Sequence, residues 1–488
     1  MSISRFQVCI LLLSLFILSA KLRAQEYLQK YYPETDPLVI KQIEKWQDIK
    51  FGLLMHWGPY SQWGIVESWS ICSEDEGWCA RKTDNYVEYK KEYENLKKTF
   101  NPTKFDPSKW AEAASNAGMK YVIFTTKHHD GFCMFDTKQT DYKITDKETP
   151  FSINPKANVT KEIFDAFRKR GFMTGAYFSK PDWHSENYWW SYFATPDRNV
   201  NYQISKYPER WKKFVEFTHN QIMELMTDYG RVDILWLDGG WVRVKTDEEV
   251  KEQLLSSEFA RRPQSQDIKM PELVSKARKK QPGLIVVDRA VEGQYQNYLT
   301  PENQVPGKLL PYPWESCIIM GGGWSYAFNA KYKTSHEVVH LLVDIVSKGG
   351  NLLLNIAPSP EGTWDEGAYA TLRGVGEWMK VNSEAIYNSR PFFPYQAGKI
   401  SYTQNRFDKS IYAIYLAEKD EIKMPSIIYL KGITPPENFR ISVLGSEELL
   451  NWEKVGNGLE VKIPNKLRNN SPCNIAWVLK ISNLILLK

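Results

Sequence analysis

Between Phe51 and Met379 short apolar runs alternate with stretches that carry apolar residues at three- and four-residue spacing, and this alternation narrows the choice of fold more than any other feature of the chain. The runs are Phe51–His56, Lys120–Lys127, Phe172–Phe178, Ile234–Asp238, Leu284–Asp288, Ser316–Met320 and Asn351–Ile356. Helical spacing covers Trp110–Ala117, Lys161–Arg170, Arg210–Tyr229, Pro271–Lys280, His336–Ser347 and Asp365–Met379. Strands alternating with helices predict right-handed βαβ units and a parallel sheet. Seven clear strands, with an eighth not distinguished, predict a (β/α)8-like barrel; fewer than seven would favour an open doubly wound sheet, and no GxGxxG follows the first strand. After Asn388 the pattern changes to short, often alternating segments, Ser410–Leu416, Ser426–Leu430, Gly458–Ile463 and Ile475–Ile481, which predict a C-terminal antiparallel β-sandwich. The expected division is an α/β barrel over 25–388, expected to be the catalytic domain by its size and strand-end loops, and a sandwich over 389–488 that is either a packing partner, the favoured reading because a core explains its aromatics, or a ligand-binding module.

The first 24 residues have the form of a secretory signal: Arg5, an apolar run from Val8 to Leu18, then small residues ending at Ala20 or Ala24. The run is too short to span a bilayer, so the mature protein is expected to lack a transmembrane segment and to be secreted or periplasmic. The five cysteines beyond the signal lack CxxC spacing and predict no disulfide framework, although Cys72 and Cys79 lie close enough in sequence to pair. A net charge of +5 spread over 488 residues without a basic block argues against a nucleic-acid partner. Aromatic residues make up 14%, with 18 Trp, a content suited to stacking on sugar rings as well as to core packing.

In a barrel of this kind functional side chains project from the carboxyl ends of the strands, where the loops form one pocket. His56 ends the first strand, His128 and His129 the second, Tyr177 the third, Trp236 and Asp238 the fourth, and Arg289 follows the fifth. Imidazole, guanidinium and carboxylate bind hydroxyls, and Trp offers a flat wall to the C–H face of a pyranose, so these residues predict a sugar site. Adjacent strand residues point to opposite faces, so His128 and His129 share a pocket only if the strand ends there, and Gly131 makes such an ending reasonable. Glycoside hydrolysis needs two carboxyl groups. Asp238, followed by Gly239-Gly240, is the nucleophile candidate, and Glu292 and Glu302 beyond the fifth strand are both candidates for the acid.

His336-Glu-Val-Val-His340 matches HExxH, the pattern of zinc peptidases. Thr334-Ser335 look like a helix N-cap, no metzincin-type third His follows, and the helix runs on toward the next strand, so a barrel helix that merely bears two histidines is the favoured interpretation. No GxSxG elbow, P-loop or thiol-enzyme signature is present.

Seven ordered pieces, Met55-His-Trp-Gly58, Thr126-Lys-His-His-Asp-Gly-Phe132, Trp236-Leu-Asp238, Val287-Asp-Arg289, Leu299-Thr-Pro-Glu302, Trp314-Glu-Ser-Cys317 and Lys348–Ile356, give the chain a resemblance to the retaining α-L-fucosidases of glycoside hydrolase family twenty-nine. The resemblance implies a barrel followed by a β-sandwich, a fucosylated glycan as substrate and no cofactor. It implies Asp238 as nucleophile, favours Glu302 over Glu292 as acid/base, and makes His56, His128, His129, Tyr177, Trp236 and Arg289 fucose contacts, with Trp324 an aromatic wall. The family's paired Glu-Trp is Glu67-Ser-Trp69 here, with a residue between, which puts Glu67 in doubt as a ligand contact beside Trp69. The implied chemistry is retaining hydrolysis, with the two carboxyl groups roughly 5 to 5.5 Å apart. The alternatives are a zinc metallopeptidase and a non-catalytic fucose-binding barrel protein.

Overall fold

The structure is a computed structural model that describes residues 30–72, 81, 83–190, 198–256, 262–433 and 439–483. The expected signal at 1–24 and Cys79 lie outside the described residues, and so does any pairing of Cys79 with Cys72.

Strands β1 (Phe51–Met55), β2 (Tyr121–Lys127), β3 (Met173–Ser179), β4 (Ile234–Asp238), β5 (Ile285–Asp288), β6 (Glu315–Ile319) and β7 (Asn351–Asn355) form one parallel sheet in the order β5-β4-β3-β2-β1-β7-β6. Their residues divide by parity. Leu54, Tyr121, Ile123, Met173, Tyr177, Ile234, Trp236, Ile285, Val287, Cys317 and Leu353 point inward and form one core cluster. Phe51, Leu53, Met55, Val122, Phe124, Leu235, Leu237 and Val286 point outward against the helices. Successive side chains on a strand face opposite ways, so this division fixes which residues reach the barrel mouth: His56, Tyr177, Asp238 and Arg289 all share the inward parity.

The sheet is missing one regular strand between β5 and β6, and the chain from Tyr295 to Asn303 fills the place. On one side Asp288 N donates to Tyr295 O at 2.8 Å and Asn297 N to Val286 O at 3.0 Å; on the other, Glu315 N donates to Leu299 O at 2.8 Å and Cys317 N to Pro301 O at 3.1 Å. The segment changes from antiparallel pairing with β5 to parallel pairing with β6, so it completes the ring without being a regular strand. Helix Pro37–Ile49, capped by Asp36 with Pro at its first position, packs Val39, Ile43 and Trp46 into the inward cluster. Trp46 stacks on Tyr298 at 4.0 Å between ring centroids.

The C-terminal region holds a five-stranded antiparallel sheet, in which β8 (Ser389–Ala397), β9 (Ile400–Asn405), β10 (Ile411–Leu416), β12 (Phe439–Val443) and β15 (Ala476–Asn483) lie in the order β12-β15-β10-β9-β8. A three-stranded sheet of β11 (Ile427–Lys431), β13 (Asn451–Val455) and β14 (Gly458–Lys462) faces it. Ile428, Leu430, Leu459 and Val461 of the smaller sheet pack with Tyr402, Ala413, Val443 and Leu479 of the larger, giving the expected sandwich. The larger sheet turns its other face, with Tyr412, Ile414, Ala476 and Val478, to the barrel's outer core, and Trp378 Nε1 donates to Ala476 O at 2.9 Å.

The HExxH histidines lie on this seam. His336 Nε2 meets the Ala417 carbonyl at 2.8 Å and His340 Nε2 the Ile475 carbonyl at 3.3 Å. Glu337 turns back to Thr334 in a capping box at the start of helix Ser335–Ser347, which removes it from the water-activating position that a zinc peptidase requires. These residues start a barrel helix and dock it on the sandwich, the arrangement favoured from the sequence over the zinc alternative. Among the described residues no helix is long and apolar enough to cross a membrane.

Candidate active site

At the mouth formed by the strand ends is a cavity of about 710 Å³ lined by His56, Glu67, Trp69, His128, His129, Tyr177, Trp236, Asp238, Arg289, Glu302 and Trp324, together with Arg198, Trp241 and Cys317. The structure thus brings all eleven residues singled out from the sequence to one place. Glu292 is not among them. It lines a separate cavity with Arg243, Asp267 and Tyr295, and its carboxylate accepts from Lys30 N at 3.1 Å.

Asp238 is the last residue of β4, and the chain turns at once through Gly239 at φ +86°, where a Cβ would lie 2.3 Å from Pro181 Cδ. Its Oδ2 accepts the Tyr177 hydroxyl at 2.7 Å; its Oδ1 accepts Gly239 N at 2.7 Å and Arg289 Nη1 at 3.3 Å. Burial alone would raise this carboxyl, but the Arg289 charge and the bonds from Tyr177 and the Gly239 N–H outweigh it and hold Asp238 well below the usual carboxylate range. The second Nη of Arg289 bonds Glu302 Oε2, so one guanidinium spans both carboxyl groups. Trp324 Nε1 donates to Glu302 Oε1 at 2.9 Å. Glu302 belongs to the irregular segment that closes the barrel, and its backbone bridges to Cys317 of β6.

β2 ends at Lys127, and His128 O accepts Gly131 N at 3.1 Å in the turn that follows. Gly131 has φ +82°, and a Cβ there would lie 2.3 Å from Asp182 Oδ1. The strand has therefore ended before the two histidines, which is how both line one cavity. Burial depresses all three imidazoles, His56 to about 4, His129 to about 3 and His128 well below its ordinary value, so each is neutral at physiological pH. Burial, reinforced by the nearby Glu302 and Asp238 charges, lifts Glu67 to about 8, and its Oε2 is buried without a hydrogen-bond partner.

The residue between Glu67 and Trp69 does not push either from the site. The short 3-10 helix Ser68–Ile71 lets Glu67 and Trp69 both line the cavity while Ser68 Oγ turns to His128 Nδ1 at 2.6 Å. Asn355, at the end of β7, holds His56 Nδ1 at 2.9 Å. No spacing along the chain signals either contact, because each depends on a side chain from a distant element.

Among the described residues, His128, His129 and Asp238 hold donor atoms within 4.8 Å of one another. Ser68 already occupies one His128 nitrogen, and Arg289 sets a cation against Asp238 that repels a second positive charge. Neutral imidazoles, a charged carboxylate, indole faces and a guanidinium suit the hydroxyls and C–H face of a sugar better than a metal ion.

A barrel whose mouth gathers two carboxyl groups among imidazoles, indoles and a guanidinium has the architecture of a glycoside hydrolase. The chain matches the Alpha-L-fucosidase family model over residues 18–384 and the Alpha-L-fucosidase C-terminal domain model over residues 395–482. It belongs to the α-L-fucosidase family. The human plasma alpha-L-fucosidase is 27% identical over 481 residues, covering 93% of each chain. The alpha-L-fucosidase isoenzyme 1 of Paenibacillus thiaminolyticus is 28% identical with a TM-score of 0.71, covering 91% of this chain and 99% of that one. The Thermotoga maritima alpha-fucosidase, solved in complex with fucose, is 27% identical with a TM-score of 0.69, covering 92% and 100%.

Proposed function

We propose that this α-L-fucosidase removes terminal α-L-fucosyl residues from glycans with retention of configuration, through a covalent fucosyl ester on Asp238. The observation that carries this is the bridging of Asp238 and Glu302 by the two ends of the Arg289 guanidinium. A single planar group spanning both carboxyls suits the ~5–5.5 Å spacing of retaining enzymes rather than the ~6.5–9.5 Å that leaves room for a water in inverting ones. Arg289 sets its single positive charge against both carboxyls and so holds the two in one cavity wall.

In the first step Asp238 Oδ attacks the anomeric carbon, the glycosidic C–O bond breaks, and Glu302 passes its proton to the departing oxygen. In the second, Glu302 takes a proton from water as that water's oxygen attacks the anomeric carbon; fucose leaves and Asp238 is restored. Tyr177 and Arg289 keep the nucleophile ionised and aimed, while His56, Glu67, Trp69, His128, His129, Trp236 and Trp324 hold the sugar. The complex of the Thermotoga relative with fucose supports a fucosyl residue in this cavity.

We also place the enzyme in a secreted or periplasmic setting, on the form of residues 1–24 and the likeness to plasma fucosidases, and divide it into a catalytic barrel to residue 388 and a sandwich beyond. Leaving-group dependence tests the acid. Glu302→Gln is expected to lower kcat/KM roughly 10²–10⁴-fold for a glycan leaving group and far less for an activated aryl fucoside. An equal loss with both removes Glu302 from that role, and no turnover of any fucoside by the intact protein points to a binding protein instead.

A further inference from the structure

Ser68, the residue between Glu67 and Trp69, is fully buried, and its hydroxyl lies between two partners: Asp130 N donates to Oγ at 2.9 Å, and His128 Nδ1 lies at 2.6 Å. A serine hydroxyl has one proton. If His128 carried its hydrogen on Nδ1, Oγ would accept from both neighbours and its own proton would be buried with no acceptor, which buried polar groups avoid. The arrangement closes only when Oγ accepts from Asp130 and donates to Nδ1. His128 then carries its hydrogen on Nε2, at the ring edge turned away from Ser68.

His56 is fixed the opposite way. The Asn355 amide nitrogen donates to Trp324 O at 2.8 Å and lies 3.4 Å from Gly323 O, so its Oδ1 is the atom that meets His56 Nδ1 at 2.9 Å. An oxygen acceptor there requires the hydrogen on Nδ1 and leaves Nε2 as a lone-pair acceptor. The two rings are 5.7 Å apart, both line the cavity, and both are neutral, so the tautomer alone decides what each offers a ligand.

We propose that Ser68 is a positioning and specificity residue: by locking His128 as a hydrogen-bond donor beside the acceptor His56, it gives the sugar site an ordered donor–acceptor pair that selects how neighbouring hydroxyls are oriented. The proposal rests on a fucosyl residue binding in this cavity. Asn355 has the matching role for His56. Each acts through its histidine.

Imidazole ¹⁵N shifts of the full-length protein, which has seven histidines, test the proposal directly, with His128→Gln used to assign the signal. In the ligand-free wild type His128 is expected as the neutral Nε2–H form at pH 7. An Nδ1–H form or an imidazolium overturns the proposal, whether or not any Ser68 variant folds. Ser68→Ala is expected to release the tautomer and raise KM for an aryl α-L-fucoside roughly tenfold, with kcat changed much less, as the loss of one oriented hydrogen bond to bound sugar requires. Ser68→Thr, which keeps the hydroxyl, is expected to restore the wild-type tautomer and KM. An unchanged tautomer and KM in Ser68→Ala contradicts the role. A wild type that turns over no fucoside defeats the functional reading instead, while the tautomer measured without ligand still decides the hydrogen-bond assignment.

Discussion

Tyr177 donates its hydroxyl to Asp238 Oδ2 across 2.7 Å, from a strand whose register sets Ser179 opposite Asp238 and Tyr177 one inward layer below it. The phenol thus reaches up the barrel wall to the carboxylate. The nucleophile role proposed for Asp238 needs an ionised carboxylate, and its low pKa depends partly on this donor.

Tyr177→Phe is expected to raise the Asp238 pKa, so the acidic limb of the kcat/KM profile moves to higher pH. At neutral pH kcat/KM should fall roughly ten- to a hundredfold, the range for losing a hydrogen bond to a charged group. A pH profile whose acidic limb stays in place contradicts the role given to the phenol.

A second carboxyl has the opposite electrostatics. Glu315 is fully buried inside the barrel, accepts Tyr121 Oη–H at 2.6 Å and Trp236 Nε1–H at 3.3 Å, and burial lifts it to about 8 from 4.5. Between those values the folded protein holds a proton that the unfolded chain has released. Its contribution to stability is therefore complete below about 4.5 and declines as pH rises toward about 8, by about 1.4 kcal/mol per unit at most. Glu67, also raised to about 8, acts in the same direction. Glu315→Gln keeps the acceptor and removes the titration, so thermal melts from pH 5 to 8 should show a flatter decline for the variant than for the wild type. Parallel declines would mean that Glu315 does not carry this dependence.

At the seam with the sandwich, His340→Ala is expected to lower stability by about 1 kcal/mol through the lost bond to Ile475 O and to leave fucoside turnover unchanged. Adding EDTA to the wild type is likewise expected to leave turnover unchanged. Loss of activity in either measurement would revive a metal role for the HExxH pair.

The seven barrel strands were legible in the sequence to within one residue at each end because each is a continuous buried apolar run. The eighth position was not. Tyr295–Asn303 has no period-two pattern, and its backbone is satisfied by β5 on one side and β6 on the other, pairings that only the folded ring creates. In the sandwich, β13 carries no strand signal in the sequence, because all five of its residues are exposed and no apolar alternation marks it. β8 carries two prolines within its length, which argue against a strand. The site was more legible than the sandwich, since strand parity alone sends His56, Tyr177, Asp238 and Arg289 to one mouth. Ser68 and Asn355 stayed hidden because their part is to orient an imidazole from a remote element, and no spacing along the chain records that.

In the proposed mechanism Asp238 attacks the anomeric carbon itself. Proton NMR of an aryl α-L-fucoside during the first turnovers, before mutarotation, reports it directly. The anomer released first should be α-L-fucose, the product of two inversions; β-L-fucose appearing first would mean a single displacement by water and would contradict the covalent intermediate on Asp238.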